Sequence, residues 1–228
     1  MVVQRPFRKP EHLPEVIPVF PLAGALLLPR GDLPLNIFEP RYLQMVDEAL
    51  SGHRLIGMVQ PRIGPEGPDE SEPPALSGIG CAGRITAFQE ADDGRYLITL
   101  TGVTRFRIVA ELAADTPFRQ CRIDATPFAR DFEANAGEDA VDRRRLLETF
   151  RDYLEANDLE ADWNAVQHAS TETLVNALSM MSPYGPREKQ ALLEAEDLKG
   201  RADVLIAVTE MSLARSGNDS SGGGPSLQ

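Results

Sequence analysis

Cysteine, lysine, histidine and tryptophan are all scarce in this 228-residue chain, which holds two, three, three and one of them respectively. Two cysteines, Cys81 and Cys121, are too few for a disulfide scaffold, and no C-x-x-C pair offers a metal half-site. Each stands among β-forming residues, where a free thiol behaves as a small hydrophobe, so both are expected to be inert core residues. None of the histidines, His12, His53 and His168, is spaced with a second ligand, and a general base needs a partner within reach. Long apolar runs are also missing: none approaches the roughly 18 residues that span a bilayer. Arg5, Arg8 and Lys9 near the start precede no apolar block of signal-peptide length. These absences lead to the expectation of a soluble, cytoplasmic protein with no membrane association, no metal and no cofactor.

Acidic residues are plentiful. The net charge is −12, with about −2 in residues 1–130, −9 in 131–215 and −1 in 216–228. The later part should repel polyanions, so nucleic acid is an unlikely partner on charge alone. Adjacent acids such as Asp47-Glu48 and Glu196-Asp197 point apart on any regular element, and Asp92-Asp93 suits a turn. No serine sits in a Gly-x-Ser-x-Gly elbow. No catalytic residue is assigned, and the chain reads as a non-enzyme.

The first half has β periodicity. Short apolar runs at Val16–Phe20, Ala25–Leu28 and Leu33–Phe38 are cut by prolines and glycine and suit short or edge strands. A helix follows from Pro40, with Tyr42, Leu43, Val46, Ala49 and Leu50 on one face and Gly52 as its stop. Leu55–Val59 returns to strand. Residues 61–77 hold five prolines and four acids and read as a mobile surface loop. Ile79–Glu90 and Arg95–Val103 flank the Asp92-Asp93-Gly94 turn as a hairpin, and Arg105–Val109 and Phe118–Phe128 complete a small barrel. The second half is helical. Apolar stripes run through Leu146–Leu154, through Leu174, Val175, Leu178 and Met181 behind a Ser170 cap, through Leu192-Leu193, and through Val204, Leu205, Val208 and Met211. These predict a helical bundle. The division expected is an arm (1–15), a β-barrel domain (16–130), a bundle (131–215) and a flexible tail (216–228).

The segment Ile17–Tyr42, IPVFPLAGALLLPRGDLPLNIFEPRY, resembles the opening signature of the Lon protease N-terminal, substrate-binding domain family. Pro18–Leu22, Pro29–Gly31 and Leu33–Tyr42 carry it. Gly102–Ile108 is similar to the family's Gly-x-x-Arg-Phe strand, and Lys189–Leu193 with Ala195–Ala202 resemble its last helices. The resemblance implies an α+β fold, a PUA-like β pseudo-barrel followed by an α-helical bundle. It also implies a role in recognising unfolded or degron-bearing polypeptide, with a protease or chaperone as partner. The glycines never form G-x-x-x-x-G-K-[ST], so no P-loop is present, and the chain reads as a stand-alone recognition module of bacterial type.

Under that reading the expected peptide-binding residues are Phe38, Arg41, Tyr42, Met58 and Met181, which lie near predicted element ends beside an apolar groove between barrel and bundle. For Arg41 and Tyr42 a purely structural role at the strand-to-helix corner stays open. Two other readings also stay open. One is an adaptor docking folded partners through the acidic bundle. The other is an RNA-binding module using Arg105, Arg107, Arg119, Arg122 and Arg130, set against the alternative of a solvated strand face.

Overall fold

One 17-residue strand organises the sheet, because its two halves pair with different neighbours. In a computed structural model of the protein, residues 7–64, 67–68 and 73–221 are described. The strands are β1 (Val16–Pro21), β2 (Asp32–Ile37), β3 (Leu55–Val59), β4 (Ile63–Gly64), β5 (Gly67–Pro68), β6 (Ile79–Glu90), β7 (Tyr96–Leu112) and β8 (Arg119–Asp124). The sheet runs β2-β7-β6-β3-β1-β8, and β8 pairs back onto β7. The amino-terminal half of β7 holds β2, and its carboxyl-terminal half, Arg107 to Leu112, holds β8. Five strands thus close into a barrel, and β2 hangs from it as an edge. Register shifts at Ala82/Gly83 and Ile108/Ala110 supply the bends that closure requires. The Pro-rich stretch expected as a mobile loop contributes the β4–β5 ladder and a Pro61–Leu76 bridge.

Two expectations for this half are corrected. Ala25–Leu28 is not a strand; it is a buried loop with Leu26, Leu27 and Leu28 all in the core. β7 does not break at Thr104. Helix α1 (Pro40–Ser51) begins and ends where its sequence signals place it, with the Gly52 amide donating to the carbonyls of Glu48 and Ala49 at its end.

The later half is helical: α2 (Arg143–Ala156), α3 (Trp163–His168), α4 (Thr171–Met181), α5 (Pro186–Glu194) and α6 (Leu198–Ser221). Asp142, Asp162 and Ser170 cap α2, α3 and α4 through their side chains. α6 continues to Ser221, past Ser216 where the sequence suggests a tail; residues 222–228 lie outside the described residues. One apolar cluster runs from Leu26, Ile37, Met45 and Leu100 to Leu146, Val175, Leu192 and Leu205, so barrel and helices share a core. A second, around Phe106, Ile17, Leu55 and Cys121, fills the barrel. The architecture is α+β, a mixed six-stranded sheet with packed helices.

The junction between the halves is polar and buried. Arg105 on β7 is 4% exposed, and Asp131 follows β8 at the end of a 3-10 stretch. Asp131 accepts from the Arg105 backbone amide (2.9 Å), from Nε (3.0 Å) and from Nη2 (2.8 Å). The same guanidinium donates to the carbonyls of Leu193 (3.2 Å), Ala195 and Glu196 (3.4 Å), which close the end of α5. A cation at a helix carboxyl end is favourable in its own right. Lys189, also buried, donates to the carbonyls of Ser179 and Met180 and so closes α4 in the same way.

Removing one partner of a buried pair strands the other charge. Asp131→Ala is therefore expected to cost about 3–5 kcal/mol in urea unfolding. A second site is tight for steric reasons. Arg30 N donates to Gly102 O and Gly102 N to Gly31 O, each at 2.8 Å, and a methyl at Gly102 would collide with the Leu28 carbonyl. Gly102→Ala is expected to lower stability by roughly 1–3 kcal/mol or more in the same assay.

Candidate functional site

The loop that Gly102 anchors faces α4, and a cleft of about 290 Å³ opens between them. Pro29, Arg30, Gly31 and Asp32 form one wall. Thr173, Asn176, Ala177, Met180 and Met181 form the other. Those five positions follow i, i+3, i+4, i+7, i+8 and so share one face of α4. Gly31 leaves its backbone against Met180: a Cβ there would overlap the Met180 sulfur.

Polar bonds hold both walls in place. Asn176 donates from Nδ2 to Pro29 O at 3.1 Å. Arg30 sits at φ +64°, a left-handed conformation that costs a non-glycine residue energy. Its side chain forks onto the Glu172 carboxylate and also reaches Asp131 O. Glu172 additionally accepts from Asn135 N at 2.8 Å. The cleft therefore has apolar Met180, Met181, Ala177 and Pro29 beside fixed hydrogen-bonding groups.

The five residues singled out from sequence do not come together. Tyr42 and Met58 are 7% and 4% exposed and belong to the main core; the Tyr42 ring packs 4.3 Å from Phe20. Their surfaces are consumed by packing, so neither is available to a ligand in this conformation. Burial pushes the Tyr42 phenol above its ordinary value, with the Arg41 charge opposing. Arg41 is exposed, pairs with Glu39 at 2.8 Å and lies over the Tyr42 ring. Phe38 is 64% exposed and Met181 82%. Met181 leaves its expected inward stripe because it ends α4, beyond the helices that cover Leu174 and Val175. Met181 shares the cleft with Asp32, where β2 begins, and Phe38 follows the other end of that strand, which is about 20 Å long at the rise of an extended chain.

The arginine stripe is also dispersed. Arg105 is buried in the junction, neither solvated nor free for nucleic acid, and Arg119 is held by Glu111 and Pro74 O. Sequence reasoning missed Arg30, Glu172 and Asn176. Their signal would have been polar residues at spacings that bring them onto the cleft face of α4 and the loop before β2. Both thiols are buried, and burial drives each above its ordinary value, Cys121 to about 11. Among the described residues, no group of three or more His, Cys, Asp or Glu is placed to hold a metal ion, and no helix is long and apolar enough to cross a membrane.

A second hollow, of about 380 Å³, lies between Arg62, Ser77 and Gly78 and the Arg187, Gln190 and Glu194 face of α5. Two arginines, a glutamine and a glutamate among its lining residues give it more charged and polar groups than apolar side chains, which suits it less to an apolar ligand.

The fold has known relatives. Lon protease 2 of Myxococcus xanthus is 28% identical over 201 residues, covering 86% of this chain and 24% of the relative. The Lon protease of Syntrophus aciditrophicus is 27% identical over 208 residues, 88% of this chain and 22% of that protein. The chain thus spans about a quarter of the length of these curated relatives. Among solved structures, the N-terminal domain of a Mycobacterium avium complex Lon protease superposes with a TM-score of 0.63 at 18% identity, over 86% of this chain and 98% of that one. A Lon N-terminal domain protein from Xanthomonas campestris does so with 0.59 at 22% identity, over 84% and 97%. The family described as the ATP-dependent protease La (LON) substrate-binding domain matches residues 16–209, and the chain belongs to that family.

Proposed function

We propose that the chain binds exposed apolar polypeptide in the cleft between the loop before β2 and α4. The observation that carries this reading is the α4 face ending in Met180 and Met181, left open opposite a wall fixed by hydrogen bonds. Methionine is flexible and polarizable, which suits a surface that accepts many sequences. Asp32, Asn135 and Thr173 border the same cleft and supply partners for a peptide backbone.

The edge strand extends the site. β2 pairs with β7 and, among the described residues, with no other strand. It starts in the cleft at Asp32 and ends beside Phe38 and Arg41. An extended client pairing along β2 would touch Met181 at one end and Phe38 at the other, with Pro34 withholding one donor on the way. Family membership supports polypeptide as the ligand class, and a protease is the partner that would act on such a client. The binding itself requires no bond-making group.

The test titrates the protein with a permanently unfolded polypeptide and with the native form of the same polypeptide. Micromolar binding of the unfolded form is expected, about −8 kcal/mol, from a few buried side chains. Met181→Asp and Phe38→Asp, both at exposed positions, are each expected to weaken it roughly ten-fold or more. Equal affinity for both forms, or binding unchanged in both variants, contradicts the reading. Preference for the native form favours a dock for folded partners instead.

A further inference from the structure

We infer that Met181 is an oxidation site whose conversion to the sulfoxide weakens polypeptide binding at the cleft and leaves the fold intact. This rests on the polypeptide reading of the cleft. Six methionines occur in the chain, and Met1 lies outside the described residues. Met45 and Met58 are 0% and 4% exposed, so a dissolved oxidant does not reach their sulfurs while the core is closed. Met180 is half-buried, and its sulfur lies against Gly31 on the opposite wall. Met181 is 82% exposed at the open lip of the cleft. Met211 is 55% exposed, but it stands on α6 and does not line the cleft. Access thus singles out Met181 at the site and Met211 away from it.

The oxidant is a hydroperoxide. The thioether sulfur attacks its terminal oxygen, an S–O bond forms, the O–O bond breaks, and the departing hydroxide takes a proton to leave as water. The sulfur is oxidised and the peroxide reduced by the same electron pair, so no further reactant is needed. The product replaces a soft apolar group with a polar one, which an apolar client does not cover without cost. The fold does not depend on this side chain. Lys189 holds the end of α4 by donating to the carbonyls of Ser179 (3.1 Å) and Met180 (2.6 Å), and the Ser182 amide donates to Leu178 O at 3.1 Å. Oxidation at Met181 therefore alters the surface a client meets without opening the core. Methionine sulfoxide reductases reverse the step with a dithiol as reductant.

The full chain is treated with graded hydrogen peroxide, quenched with catalase and mapped by peptide mass spectrometry. It is then titrated with a permanently unfolded polypeptide that contains no methionine or cysteine. Met181 is expected to gain oxygen well before Met45 and Met58. Affinity should fall roughly three- to ten-fold as it does so, with the melting temperature unchanged, and should return after reductase treatment. Peroxide is expected to leave Met181→Leu at whatever affinity that variant starts from, and to weaken Met211→Leu as it weakens the wild type. Bound polypeptide should slow oxidation of Met181 and not of Met211, a measurement that needs no variant. If the untreated protein binds no polypeptide, the reading of the cleft fails and this inference fails with it. If it binds equally well before and after Met181 is oxidised, or if peroxide weakens Met181→Leu as much as the wild type, this inference alone is overturned.

Discussion

The buried Arg105–Asp131 pair is the constraint on which the arrangement of barrel and helices rests. Two charges taken out of water are tolerated only where geometry and further hydrogen bonds compensate their lost hydration. Asp131 accepts three bonds from Arg105, and the spare donors of that guanidinium close the end of α5. Each group therefore fixes a different element: β7, the 3-10 stretch after β8, and the turn into α6. Moving any of them would leave a buried charge or carbonyl without its partner. The shared apolar core supplies cohesion, and this pair supplies direction.

The cleft follows from that constraint. Arg30 is held across it by Glu172 and by the carbonyl of Asp131, so the loop before β2 is referenced to the same junction. Asn176 bridges Pro29 O and Arg201, which connects the α4 wall to α6. On the proposed reading, the walls that would face a client are thereby set before it arrives, and less ordering would be needed on binding. Met181, 82% exposed, keeps side-chain freedom within that rigid frame, while Met180 packs against Gly31. If the cleft is the polypeptide site proposed, a fixed frame with an adaptable lining would let it take many apolar segments without selecting one.

Much of this fold was legible in the sequence, because period-2 and period-3.6 patterns report which face is buried. The proline at α1, the Asp92-Asp93-Gly94 turn and the Ser170 cap all act through local geometry, and all lie where local rules place them. The misses share a cause. Ala25–Leu28 is as apolar as a strand yet pairs with none, because burial alone satisfies the pattern. Arg105 alternates with Phe106 as a surface arginine would, and only a partner 26 residues away makes it a core residue. Tyr42 and Met58 sit near element ends in sequence, but the barrel and α1 cover them. Met181 lies outside its stripe because the stripe outlasts the helices that cover it. Long-range partners decided each case, and periodicity does not encode them.

Native-state hydrogen exchange tests the central claim most directly. If the junction makes barrel and helices one cooperative unit, the Arg105 and Phe106 amides should open with the same free energy as those of Leu205 and Ile206 in α6. That value should match global unfolding. An α6 that exchanges through a distinctly lower opening, with β7 still protected, would mean the halves are only loosely joined and would contradict the account.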